Sequence, residues 1–270
     1  MIAIRLPISA LACALLAAGC HKNNAASGAA STHAVTAAMP TTVSAGEVGS
    51  PGQHAQVHDP AHPPIDCPLR KQGLDPAHLR PFEDTAKYIA FLERPDRAAW
   101  QKPDAVVAAL GLTGKETIVD IGAGSGYFSF RLAHAVPKGK VIAVDVEPEM
   151  IRYIHHKAMI EGVRNLQAVF AKPEDPGVPA DADLVFMCDV LHHIPDRPAW
   201  LAKLAAQMHK GARLVLVEFK EGKLPEGPPE AVKLSRAQLV TLATNAGLVL
   251  DSEKPNLLPY QTFLVFRKAR

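Results

Sequence analysis

The residues best spaced for chemistry run Asp120-Ile121-Gly122-Ala123-Gly124-Ser125-Gly126-Tyr127. Alternate glycines let a chain turn sharply and let a ligand come close to the backbone. The apolar run Ile118–Ile121 precedes them, and a helical pattern through Phe128, Leu132 and Ala135 follows. Such a helix points its free N–H groups back at whatever the loop holds. A dinucleotide loop would need its third glycine at position 127, which is tyrosine. Asp145 ends the next apolar run, where a carboxylate can accept both hydroxyls of a ribose. Further along, Asp189, His192 and His193 follow a fourth apolar run, and Glu218 follows a fifth. Either histidine is a candidate general base, and Glu218 is expected to face an acceptor. His155 and His156 lie on a helical stretch past the ligand's edge and are expected at the surface.

The elements that must hold these groups alternate. Short apolar runs at 118–121, 141–144, 166–170, 184–188 and 214–217 are separated by helical patterns. Helices are expected from Pro103 to Gly111, from Pro148 to Glu161, from Arg197 to His209, and from a Ser235 cap to Asn245. Another helical pattern carries Phe82, Ala86, Ile89 and Leu92 and stops at Pro95. Alternation of this kind makes a mainly parallel sheet covered on both faces. The last two runs, 248–250 and 263–266, have no helix between them, so they must lie antiparallel.

The glycine loop with its preceding acid resembles the first motif of class I S-adenosylmethionine-dependent methyltransferases. The likeness extends over roughly residues 95–268. It implies an α/β, Rossmann-like, doubly wound seven-stranded sheet with an antiparallel C-terminal strand, and S-adenosylmethionine as cofactor. It implies cofactor contacts from Asp120, Gly122, Ala123, Gly124, Gly126, Tyr127, Asp145 and Val146. Glu174 and Asp175 fall where the adenine amino group is bound, and Asp189 falls at the methionine end. Trp100, Gln101 and the ending Leu258-Pro259-Tyr260-Gln261 resemble a bacterial subgroup that is often exported, and Trp100, Gln101, Glu218 and Gln261 are assigned to the substrate side. The Asn/Asp-Pro-Pro-Tyr signature of adenine and glutamine amino-methylation is missing after the fourth run, and so is a Pro-Cys nucleophile. The reading is methyl transfer to a small-molecule acceptor; a non-catalytic exported nucleoside binder is the alternative.

Composition sets the frame. About half of the 270 residues are apolar, enough for one sizeable core. Lys and Arg number 29 against 27 Asp and Glu, without a long basic run, which gives no footprint for nucleic acid. Residues 1–19 read as a secretory signal ending in Leu16-Ala17-Ala18-Gly19-Cys20, similar to a bacterial lipobox. Its apolar stretch is too short to span a bilayer, so Cys20 is expected to carry lipid and anchor the chain, with an outer-membrane lean. Residues 20–65 have almost no bulky apolar side chains and read as a disordered tether. His58, His62 and Cys67 near its end are split by prolines and lack a fourth ligand, so no metal site is assigned. Residues 66–111 form a helical segment over the cofactor site, and 112–270 form the methyltransferase domain. Cys188 is expected to be a buried small hydrophobe. Export raises one tension: the cofactor is made in the cytoplasm and, being charged, does not cross a membrane unaided.

Overall fold

A computed structural model describes residues 82–269. The signal at 1–19, Cys20, the tether at 20–65, and His58, His62 and Cys67 lie outside the described residues. The described chain folds into a seven-stranded sheet ordered β3-β2-β1-β4-β5-β7-β6. Its strands are β1 Thr117–Ile121, β2 Lys140–Asp145, β3 Leu166–Phe170, β4 Leu184–Cys188, β5 Arg213–Phe219, β6 Leu248–Glu253 and β7 Gln261–Lys268. Strands β1 to β5 pair in parallel. β7 runs antiparallel between β5 and β6, as the missing helix between the last two runs requires.

Both faces of the sheet are apolar because successive side chains alternate across it. Ile118, Val141, Ala143, Phe186 and Val215 pack with the helices α3 Pro103–Ala109, α4 Ser129–Ala135 and α5 Pro148–Glu161. Val119, Ile142, Val185, Met187 and Leu216 pack on the opposite face with α6 Arg197–Gln207 and α7 Arg236–Asn245. Helix ends follow local chemistry. The Ser235 hydroxyl accepts from the Gln238 N–H while the Gln238 side chain reaches back, a closed capping box. Gly162, at φ 69°, ends α5 in the left-handed conformation that glycine adopts without penalty.

Three local expectations change. α6 stops at Gln207, short of His209, because Met208 turns extended and buries its side chain. A five-residue helix, α2 Arg97–Gln101, fills the gap between α1 Phe82–Leu92 and α3. Five residues are too few to show a period, and Lys102 at φ 42° breaks it from α3. His156 is buried and His155 partly so, not at the surface. Glu149, Arg152 and His156 share a buried polar face of α5, which a single apolar stripe does not forecast. Among the described residues no helix is long and apolar enough to cross a membrane.

Candidate functional site

The glycine loop leaves β1 at the carboxyl edge of the sheet, where open α/β sheets bind ligands. The N–H groups of Gly122 and Ala123 both donate to the Val144 carbonyl, which ties the loop to β2. Gly122 sits at φ 69°, and a Cβ there would stand 2.4 Å from a Val190 methyl carbon. Glycine is therefore required both by conformation and by the close approach of the turn after β4.

Asp145 is 8 % exposed. One of its carboxylate oxygens accepts from the Gly124 N–H at 2.8 Å and the other from the Glu147 N–H at 2.9 Å. Burial raises its pKa, and those two N–H groups oppose the rise. A cleft of about 150 Å³ opens beside it. Ile121, Gly122, Asp145, Val146, Asp175, Val190 and His193 are among its walls. The apolar walls and the carboxylate fixed at Asp145 suit a nucleoside. Of the two neighbouring acids, both exposed, only Asp175 is among the walls of the cleft. The Asp175 carboxylate already accepts from Gln207 Nε2 at 2.8 Å.

Gly124, Gly126, Tyr127, Asp120 and Asp189 are not among the walls of that cleft. Leu92, at the end of α1, stands 3.3 Å from where a Gly124 Cβ would be. The Tyr127 ring is sandwiched between the guanidinium groups of Arg97 and Arg131, at 4.1 and 4.2 Å. Its hydroxyl and that of Ser125 are buried without a partner. Asp120 is 3 % exposed and accepts from Ser129 Oγ at 2.5 Å.

A second polar group gathers residues far apart in sequence. The Asp189 carboxylate accepts from Gln101 Nε2 at 2.9 Å and from Gln261 Nε2 at 2.7 and 2.8 Å. Asp189 takes φ 60°, uncommon outside glycine, and so turns this side chain between the two carboxamides. The Gln101 carbonyl accepts from Arg97, while the Gln261 carbonyl oxygen is buried and unpartnered. Cys188 is no inert core thiol, since its Sγ accepts from Gln101 at 2.9 Å. Trp100 lies beside Phe219 and Tyr260, with ring centroids 5.7 and 6.1 Å away. All four residues assigned to the substrate side thus stand near the ends of β4, β5 and β7. Glu218 is the exception in direction: it is 1 % exposed and turned inward. One oxygen accepts from the N–H groups of Val190 and Leu191, and the other faces His192. Sequence reasoning missed Arg97, because one arginine on a five-residue helix carries no pattern.

Burial raises the pKa of Asp120 to about 7, with the Asp145 charge adding to it and Ser129 opposing. Burial likewise raises Asp189 to about 7, assisted by the Glu218 charge and opposed by Gln261. A ligand of net positive charge favours the ionised carboxyls. S-adenosylmethionine binding at pH 7 is therefore expected to release protons and to strengthen from pH 6 to 8. Calorimetry in buffers of different ionisation enthalpy checks this, and proton uptake on binding would contradict it. In the free domain, these two raised values stabilise the fold fully below the unfolded value of about 4. That contribution is lost as pH rises through about 7.

Residues 119–214 match a protein family described as methyltransferase domain. The aklanonic acid methyltransferase of Streptomyces sp. (strain C5) is 33% identical over 123 residues, 44% of this chain and 56% of that protein. The malonyl-[acyl-carrier protein] O-methyltransferase of Hahella chejuensis is 31% identical over 102 residues, 37% of this chain and 35% of that protein. The chain thus spans about a third to a half of the length of these two curated relatives. A S-adenosylmethionine-dependent methyltransferase from Aquifex aeolicus superposes with a TM-score of 0.63 at 24% identity, covering 68% of this chain and 98% of that one. Strand order, glycine loop and superposition agree on the class I methyltransferase fold for residues 82–269, within which residues 119–214 match the methyltransferase domain family.

Proposed function

We propose that this protein transfers the methyl group of S-adenosylmethionine to a small-molecule acceptor. The observation that carries the reading is Asp145, fixed by two backbone N–H groups beside a glycine loop and an apolar cleft. The relative named for aklanonic acid supports an acceptor of modest size. When bound, the cofactor supplies a methyl group already activated on a sulfonium. The chain must then align the acceptor, exclude water and handle any proton that leaves. In this reading Leu92, 3.3 Å from where a Gly124 Cβ would be, and Asp189, held by Gln101 and Gln261, shape the acceptor side. The test is calorimetry with S-adenosylmethionine, its demethylated product and NAD, followed by transfer of labelled methyl into a cell extract. Binding of the first two without NAD is expected; NAD binding would sink the cofactor assignment. Cofactor binding without turnover would favour the non-catalytic binder.

We also propose that the protein works as an exported lipoprotein anchored through Cys20, with residues 20–65 as spacer. Lipid chains contribute about 0.8 kcal/mol per buried methylene, so two or more hold a domain firmly at a bilayer. Cys20→Ser is expected to leave a heavier, uncleaved precursor, read by intact mass and fractionation. A soluble cytoplasmic protein still carrying residues 1–19 would defeat the anchor and remove the cofactor-supply problem.

A further inference from the structure

Trp100 and Gln261 each bury a polar atom that the fold leaves unmet. Trp100 is 9 % exposed, and its Nε1–H has no partner among the described residues. Gln261 is fully buried, and its Oε1 is likewise unpartnered. The orientation of that carboxamide follows from Asp189, whose carboxylate accepts and so draws Nε2 toward itself. Oε1 must then face the other way. Strand register gathers the two side chains around one spot. Gln261 pairs directly with Phe219 across β5 and β7, so both side chains leave the same face of the sheet. The Trp100 ring lies against Phe219, and against Tyr260, the residue before Gln261. Gln101, next to Trp100, meets Gln261 on one oxygen of Asp189, at 2.9 and 2.7 Å. The spot is at the carboxyl edge of the sheet, where open α/β sheets bind ligands. An indole N–H only donates and a carboxamide oxygen only accepts, and burying either unmet costs stability.

We propose that Trp100 Nε1–H and Gln261 Oε1 are the recognition pair for the methyl acceptor, and that this acceptor is an uncharged aromatic compound bearing a hydroxyl group. This rests on the methyltransferase reading above. A hydroxyl oxygen accepts from the indole while its proton is donated to the carboxamide, so one group meets both atoms. A carboxylate would take the indole N–H but has nothing to donate to Oε1, and it would lie beside the Asp189 carboxyl. The neighbouring cations are already engaged and do not offset that repulsion. Arg94 is held by Glu226 at 2.5 Å and by Asp96, and Arg97 by Gln101 and the Leu92 carbonyl. An ammonium would suit Oε1 and leave the indole N–H unmet. The body of the acceptor is aromatic because the rings of Trp100, Phe219 and Tyr260 border the pair, tilted by 40° and 35° to one another. The pair holds the acceptor; which of its oxygens takes the methyl group follows from alignment with the cofactor.

The test uses the full chain with S-adenosylhomocysteine bound and reads the indole N–H signals of its two tryptophans by NMR. Trp200 is the internal control, since its Nε1 already donates to the Pro173 carbonyl at 3.1 Å. At neutral pH, 2-naphthol is expected to move the Trp100 signal downfield and to leave that of Trp200 in place. Naphthalene, which stacks without bonding, and 2-naphthoate should each bind roughly 10-fold or more weakly, the scale of two lost hydrogen bonds. Trp100→Phe keeps a ring and deletes the donor. By calorimetry it should bind S-adenosylhomocysteine as before and lose most of the preference for naphthol over naphthalene. Gln261→Met, which deletes the acceptor, should lose that preference as well. Equal binding of the three probes, no shift at Trp100, or an unchanged preference in folded Trp100→Phe would each overturn the proposal. A wild-type chain that does not bind S-adenosylhomocysteine would sink the underlying function, and the proposal with it.

Discussion

Asp145→Ala is expected to weaken S-adenosylmethionine binding by about 1.5–3 kcal/mol, the scale of hydrogen bonds to a charged group. Two causes act together. The ribose hydroxyls lose a carboxylate acceptor, and the N–H groups of Gly124 and Glu147 lose the partner that fixes the loop to the start of α5. Asp145→Asn should not restore full affinity. An amide has one oxygen for two N–H donors, so its own NH₂ would face one of them. Asp175→Ala should cost far less, because that carboxylate is already engaged by Gln207 and stands at an exposed edge. Calorimetry beside a thermal melt separates affinity from folding. Unchanged affinity in a folded Asp145→Ala protein would remove this residue from the cofactor site.

Phe186→Ala is expected to cost about 3–5 kcal/mol of stability, the range for deleting a fully buried aromatic ring. Phe186 is wholly buried in β4, between Asp120 on β1 and Val215 on β5. Its ring centroid lies 5.1 Å from that of Phe128, the residue that opens α4 just after the glycine loop. The cavity would thus form under the helix that presents its N-terminus to the ligand. Typical domains hold only about 5–15 kcal/mol in total, so the variant should melt far lower and populate unfolded chain. Urea unfolding measures it. A loss below about 1 kcal/mol would mean that α4 and the sheet collapse to refill the space.

The sequence alone determined the order of elements and the placing of the glycine loop beside Asp145. Both are local properties: short apolar runs between helical patterns, a loop confined between one run and the next helix, and an acid at the end of the following strand. β1, the loop, α4 and β2 form one contiguous unit, so adjacency in sequence places Gly122 beside Val144 and Gly124 beside Asp145. The antiparallel ending was equally legible, since two strands without a helix between them have no parallel connection.

Only the tertiary structure decided the rest. Gln101, Asp189 and Gln261 meet because β4 lies two places from β7 in the sheet and α2 packs above both, an order that no spacing encodes. Side-chain direction at the strand ends was also beyond reach. Glu218 turns inward to hold the turn at 190–192, Glu174 stays exposed, and His156 is buried on a second face of α5. Each of these choices depends on which partners wait across the fold. A buried carboxylate must find donors, and only the assembled sheet edge says where those donors stand.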